Sequence, residues 1–254
     1  MTESETTQQQ KQFKILLVGD TGIDIYQYGS VDRISPEAPV PVFKNGHAED
    51  KPGMASNVCM NLRALNCDVT HKFGQYSCVK TRLIDIRSRQ QIVRIDNDVT
   101  SPPLRFEKFD EQYDAVVISD YDKGAVSYDT IEDLRKLRVP IFIDTKKTDL
   151  AKLEGCIIKI NALEMSRAVS MPSSQTTLIV TQGDKGVVWG SRTFPAKLVE
   201  VADVCGAGDT FLSALTYQYL ATNNLNSAIN FAIAASAVTV QHVGVYSPTL
   251  LEIL

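Results

Sequence analysis

Short β-branched runs alternate with amphipathic stretches along most of this chain, and that alternation restricts its fold more than any other feature. Phe13-Lys-Ile-Leu-Leu-Val18 reads as a buried strand ending at Gly19-Asp20, and 54–65 as a helix with Val58, Leu62 and Leu65 on one face. Ala115-Val-Val-Ile118 reads as a second buried strand, followed by a helix near 128–138 that aligns Ile131, Leu134 and Leu137. Strands at Val139-Pro-Ile-Phe-Ile143, Cys156-Ile-Ile-Lys-Ile160 and Thr177-Leu-Ile-Val-Thr181 come next. The last third reads as two helices, 207–222 and 226–242, the second turning Ile229, Ile233, Ala237 and Val240 inward. Apolar strands with helices between several of them build right-handed βαβ units, so the predicted class is α/β, a mostly parallel central sheet flanked by helices.

Two segments break the rhythm. Residues 31–44 hold three prolines and no helical period, which predicts an exposed strand projecting from the body. Residues 79–96 alternate apolar and polar side chains, the pattern of a hairpin wet on one side. Together they predict a small β-lid. Residues 1–12 are polar and read as a flexible tail, leaving 13–254 as a single domain. Open α/β sheets bind ligands beyond the carboxyl ends of their strands. Polar, Gly-rich clusters stand at those ends: Gly19-Asp20 with Asp24, the run 119–124, Asp144 to Lys146, Asn161 with Glu164, and Thr181-Gln-Gly183 to Gly186.

A net charge of −4 gives no basic footprint for nucleic acid, and no apolar run is long enough to span a membrane. Five cysteines without a Cys-x-x-Cys, and three scattered histidines, favour reduced thiols in a cytoplasm over disulfides or a zinc site. There is no Walker Gly-x-x-x-x-Gly-Lys-Ser/Thr and no Gly-x-Gly-x-x-Gly after the first strand, which disfavours P-loop and dinucleotide folds.

The chemistry is concentrated in Asp203-Val-Cys-Gly-Ala-Gly-Asp-Thr-Phe211, at the start of the first C-terminal helix. Gly206 and Gly208 let backbone approach a ligand, and the first N–H groups of a helix lack intrahelical acceptors, so this end suits a phosphate. An acid beside it, Asp209, suggests a base for phosphoryl transfer to a hydroxyl. Read alone, the same residues make a glycine turn with an Asp cap.

With these pieces laid out, the chain resembles the ribokinase-like (PfkB) sugar kinases, and 203–211 looks like that family's C-terminal signature. It is most similar to kinase domains that phosphorylate D-glycero-β-D-manno-heptose 7-phosphate at the anomeric hydroxyl, yielding a lipopolysaccharide precursor. The closest matches are Val-Gly-Asp20 with Asp24, Arg33-Ile-Ser-Pro-Glu-Ala-Pro-Val-Pro-Val42, Pro52-Gly53 with Ala55 and Asn57, Arg89-Gln-Gln-Ile-Val-Arg-Ile-Asp96, and Ser119-Asp-Tyr-Asp-Lys-Gly124. The resemblance implies ATP and Mg²⁺ as cofactors, Asp209 as base, and an anion hole formed by the N–H groups of Gly206, Ala207 and Gly208. It implies that Asn161 and Glu164 help to place Mg²⁺ through water, and that Lys146, Thr181, Gly183 and Gly186 lie along the nucleotide. Asp24, Gly53 and Asn57 would hold sugar hydroxyls. Lys80, Arg82 and Arg89 in the lid hairpin would grip a distal phosphate, with Asp120 and Lys123 also on the substrate side.

There are departures. The family usually has a second glycine where this chain has Met54, crowding the sugar floor, and a polar residue of the adenine-side helix is here Ile233. Relatives carry a helix and a strand between Gly74 and Val79, and another helix between Ala168 and Thr176. Losing them should bare apolar surface, and a homodimer through the β-lid is the expected consequence. The nucleotidyltransferase half of the bifunctional relatives has no counterpart in these 254 residues. A kinase for another sugar or nucleoside, and a non-catalytic kinase-fold protein that binds sugar phosphate, are the alternatives. Read without the family, Asn161 and Glu164 open a helix, Lys80, Arg82 and Arg89 are the wet face of a hairpin, and Asp120 and Lys123 belong to a capped turn.

Overall fold

The computed structural model describes residues 12–109 and 111–254; residues 1–11 of the expected tail lie outside the described residues. Ten strands form one sheet. They are β1 (Lys14–Ile34), β2 (Pro41–Met54), β3 (Asp68–Asp85), β4 (Gln91–Asn97), β5 (Ala115–Asp120), β6 (Ile141–Thr145), β7 (Ile157–Asn161), β8 (Thr177–Thr181), β9 (Val187–Trp189) and β10 (Arg192–Phe194). Their order is β10-β9-β8-β7-β6-β5-β1-β3-β4, with β2 on the distal part of β1. The core β3-β1-β5-β6-β7-β8 is parallel, and β2, β4, β9 and β10 are antiparallel additions.

The strands are apolar at successive positions because both faces are covered. Ile15 and Leu17 of β1 enter one core with the helices α1 (Ala55–Ala64), α4 (Ala207–Thr222) and α5 (Leu225–Thr239). Leu16 and Val18 enter the opposite core with Ile131 and Leu134 of α2 (Tyr128–Arg135). Short helices α3 (Ala162–Ser166) and α6 (Leu250–Ile253) complete the layers. The α/β class expected from the sequence, a mostly parallel central sheet flanked by helices, is the class observed.

The lid departs from the expected form. β1 does not stop at Gly19-Asp20 but runs on to Ile34, exchanging β5 for β2 as a neighbour at Thr21 while keeping β3 on its other side. Residues 31–44 are therefore not one projecting strand. They are the end of β1, a bend at 35–40 and the start of β2. β3 also passes from body to lid, with a register irregularity opposite Gly19–Thr21, where Gly74 to Tyr76 are extra. No helix intervenes there, and Phe73 and Tyr76 are half exposed. Leu163, Val169 and Met171, around the other shortened junction, are exposed as well. No helix among the described residues is long and apolar enough to cross a membrane.

Candidate active site

The strand ends and the start of α4 converge on Asp209. Gly206 precedes the helix in the left-handed region at φ 78°, and a Cβ there would lie 2.9 Å from Asn57 Nδ2. The turn needs glycine for both reasons. Thr210 N–H donates to Gly206 O at 2.9 Å, closing the first helical bond. Ala207 and Gly208 follow in the first turn, where the helix presents positive partial charge.

Asp209 is buried, and both carboxylate oxygens have donors: Asn57 Nδ2 at 2.8 Å on Oδ2 and the Tyr121 hydroxyl at 3.1 Å on Oδ1. Burial pushes its pKa up to about 6; the Asn57 hydrogen bond opposes this, the charge of Asp144 reinforces it, and Lys159 and Tyr121 oppose it. Tyr121 itself is driven well above its ordinary value by burial and by Asp209, so it stays a donor. A carboxylate near neutrality, held by two donors and set at a helix N-terminus, is equipped to accept a hydroxyl proton.

Two cavities meet at this corner. One, about 120 Å³, is lined by Gly22, Asp24, Gly53, Met54, Lys80, Arg82, Tyr121, Gly206 and Asp209 among others. Arg82 donates to Asp24 at 2.6 Å; burial works against the Arg82 charge, but Asp24 outweighs it and its pKa is raised. Gly53 leaves room for this pair, since a Cβ there would stand 2.9 Å from Asp24 Oδ2. Met54 does crowd the floor: it is buried at φ 53°, ψ −133°, a conformation that favours glycine, and its Sδ lies 3.1 Å from where a Cβ on Gly22 would sit. Lys80 lies over the Tyr121 ring, 5.7 Å from its centroid.

The other cavity, about 500 Å³, is lined by Thr181, Gly183, Gly186, Val187, Leu198, Val201, Val204, Ala207, Gly208, Phe211, Ile233, Ser236 and neighbours. It is an apolar slot that ends on the same helix N-terminus. Gly186, at φ 88°, could not carry a Cβ without striking Phe194 O at 2.0 Å. Lys146 contacts Glu164 and lies 5.4 Å from the Tyr121 ring centroid, so both Lys80 and Lys146 stand near that ring.

Other residues singled out in the sequence are placed elsewhere. Arg89 sits at φ 57° in the turn between β3 and β4, exposed at the lid tip and outside the lining of either cavity. Its backbone N–H donates to Asp85 O at 2.8 Å, closing the turn. Lys123 pairs with Asp98 at 2.6 Å and Asp120 accepts from Thr145 Oγ1 at 2.5 Å and Asp122 N at 3.0 Å; both secure loops and neither lines a cavity. The Asn57 amide faces Asp209 and not the smaller cavity. Asn161 and Glu164 form a reciprocal capping box on α3, Asn161 Oδ1 accepting Glu164 N at 2.9 Å and Glu164 Oε2 accepting Asn161 N at 2.7 Å.

Sequence reasoning assigned no role to Tyr121, Lys159 or Asp20. Asp20 accepts from the backbone N–H groups of Tyr121, Lys123 and Ala125 at 2.9–3.0 Å, fixing the loop that carries Tyr121. Lys159 carried one signal, a lone charge inside an apolar strand.

An apolar slot and a charged pocket joined at a helix N-terminus with a buried carboxylate define a phosphotransferase of the ribokinase-like class. The pfkB family carbohydrate kinase model matches residues 111–252, more than half of the chain, and the chain belongs to that family. It is thereby an ATP-dependent carbohydrate kinase by class. The bifunctional protein HldE of Aliivibrio fischeri is 31% identical to it over 300 residues, covering 95% of this chain and 63% of that protein. The HldE protein of a Nitratiruptor species is 33% identical over 296 residues, covering 94% and 64%. The chain thus spans less than two thirds of the length of these relatives. Escherichia coli phosphofructokinase-2, solved with potassium, superposes with a TM-score of 0.73 at 14% identity, covering 95% of this chain and 97% of the other. Arabidopsis thaliana ribokinase, solved with ribose and ATP, superposes with a TM-score of 0.70 at 16% identity, covering 96% and 98%. At such identities the likeness carries the fold alone.

Proposed function

We propose that this kinase transfers the γ-phosphoryl group of ATP to a sugar phosphate, the acceptor being the C1 hydroxyl of D-glycero-β-D-manno-heptose 7-phosphate and the product its 1,7-bisphosphate. The observation that carries the reading is the placement of Asp209 between a charged pocket and an apolar slot, at a helix end suited to phosphate. The heptose follows from the HldE relatives and from the lid, where Lys80 and Arg82 project into the smaller cavity. Arg82 offers a planar fork that matches two phosphate oxygens.

In this reading the sugar lies under the lid, with its acceptor hydroxyl on Asp209 and its distal phosphate toward Lys80 and Arg82. Asp209 takes the hydroxyl proton as the oxygen attacks, while the N–H groups of Gly206, Ala207 and Gly208 stabilise the phosphoryl oxygens. Tyr121 and Asn57 hold the carboxylate in line. The adenine enters the slot beside Ile233 and Leu198, with the phosphates running past Thr181, Gly183 and Lys146.

No group of three or more metal-ligating side chains exists among the described residues. The Glu164 carboxylate nonetheless keeps free lone pairs beside its cap and Lys146, which suits Mg²⁺, an ion that retains waters and binds through few carboxylates and substrate phosphates. Asn161 and Glu164 would hold it through water, and when bound it would neutralise charge on the ATP phosphates. In the same reading the chain works in the cytoplasm and pairs through its lid, where Ile34, Ile86 and Ile95 are exposed.

Met54 favours a second reading, a smaller acceptor than a heptose phosphate, because it narrows the floor. ADP release with Mg²⁺-ATP against a panel of sugar phosphates, free sugars and nucleosides separates the two. Turnover confined to heptose 7-phosphate supports the first, and a preference for a shorter or unphosphorylated acceptor overturns it. Binding without turnover of any acceptor would mark a sugar-phosphate-binding protein instead.

A further inference from the structure

Behind the anion hole lies a buried ion pair that phosphoryl transfer, as described, does not use. Asp144 on β6 and Lys159 on β7 are cross-strand partners, and Lys159 Nζ donates to Asp144 Oδ2 at 2.6 Å. Lys159 is 3% exposed, and its neighbours in the strand, Ile158 and Ile160, are buried and apolar. The same Nζ stands 3.0 Å from the point where a Cβ on Gly208 would be, and Asp144 Oδ2 stands 3.8 Å from it. The pair is thus packed against the backbone of the helix end that would receive the phosphoryl group, and Gly208 lacks a side chain where the ammonium comes closest.

Burying two charges is expensive, and a well-packed apolar pair is often at least as stable, so stability alone gives this pair little reason to exist. Its position gives one. Asp209 is faced by Asn57 from α1, Tyr121 from the loop after β5, Asp144 from β6 and Lys159 from β7. The lid adds Asp24, Lys80 and Arg82, the loop before α4 adds Cys205, and Glu164 at the start of α3 also acts on Lys159. Arg82 pairs with Asp24 through Nη1, and Lys80 and Lys146 lie near the Tyr121 ring. Lys159 is therefore the cation that answers Asp144 on the inner side of the base.

We propose that Lys159 is a positioning residue for phosphoryl transfer: its ammonium cancels the charge of Asp144 behind Gly208, which keeps Asp209 a carboxylate able to accept the sugar proton. The proposal rests on the reading of Asp209 as the base. Removing the ammonium leaves two carboxylates that together hold one proton more tightly, and that proton goes preferentially to Asp209, the more deeply buried of the two.

The test is a carbon-13 NMR titration of the free protein labelled at aspartate carboxyls, with Asp209 assigned through the D209N variant. In K159M the Asp209 midpoint should rise by about one pH unit or more. In D144N it should fall, and in D144N/K159M it should return close to the wild-type value, because both charges have gone. A K159M midpoint within about half a unit of wild type, or a double variant as displaced as K159M, overturns the proposal. If K159M does not fold, D144N and the double variant decide alone: a midpoint that does not fall in D144N, or one displaced upward in the double variant, overturns it equally. Turnover is scored separately. Retained activity in D209N would overturn the assignment of the base while leaving the titration result intact.

Discussion

The two cavities that flank the N-terminus of α4 differ in almost everything but that contact. The slot of about 500 Å³ is walled mainly by Val187, Leu198, Val201, Val204, Phe211 and Ile233, with Asp184 and Lys197 among its few charged neighbours. The pocket of about 120 Å³ is small and charged, with Asp24, Lys80, Arg82, Tyr121 and Asp209 around it. Apolar walls hold a flat base by area and contribute little to telling one base from another, whereas buried charges reject any ligand that leaves them unpaired. On the proposed reading, the difference places acceptor choice in the lid pocket, with the helix end between the two serving either partner.

Three substitutions would break or sharpen that comparison. The largest effect belongs to the base on the pocket side of the helix end: D209N should lower kcat by on the order of 10³-fold while nucleotide affinity persists, measured by steady-state kinetics and calorimetric titration. The same variant should be more stable than wild type. A carboxyl raised from 3.8 to about 6 in the folded chain binds protons more tightly there than in the unfolded chain. Folding stability of the wild type therefore falls as pH rises from about 4 through about 6, by on the order of 2–3 kcal/mol, and the loss is complete above that window. Urea midpoints of the two proteins should converge near pH 4 and separate at pH 7. For wild-type turnover the sign is opposite, with activity rising through about pH 6 as the base ionises.

Next in size, R82K should raise the KM for a sugar phosphate by about tenfold, since an ammonium cannot reproduce the fork that Arg82 presents, with the nucleotide KM unchanged. A matching rise in both constants would show that the pockets are not separable. Smallest is R89A, which should alter either KM by less than about twofold, because Arg89 is exposed in a surface turn. A tenfold loss in sugar-phosphate affinity would mean that the lid tip folds over the bound substrate.

What could be read from the sequence was local. The C-terminal helices, the buried strands after the first and the glycine-rich start of α4 follow from periodicity and composition within a dozen residues, and the structure places them within a few residues of expectation, whereas β1 runs far past its expected end. What could not be read depended on register. Lys80, Arg82 and Arg89 look equivalent as three cations of one hairpin, yet β3 sets the first two in the pocket lining while the third falls in the exposed turn beyond Asp85. The pairing of Lys159 with Asp144 becomes visible only once β6 and β7 are aligned. Asn161 and Glu164 form the capping box that their three-residue spacing allows, and this leaves the Glu164 carboxylate oriented by its own helix.

The unbroken strands β1 and β3 have a mechanical consequence. A lid joined to its body by loops swings like a door, but this one is a continuation of the sheet and deflects like a leaf spring, by twist and bending spread along two strands. The weak point of that spring is the register irregularity at Gly19–Thr21, and Asp20 sits within it. The carboxylate of Asp20 grips the backbone that carries Tyr121, and Tyr121 touches the base. The root of the lid and the aim of the Asp209 carboxylate therefore share one anchor, with no separate hinge between them.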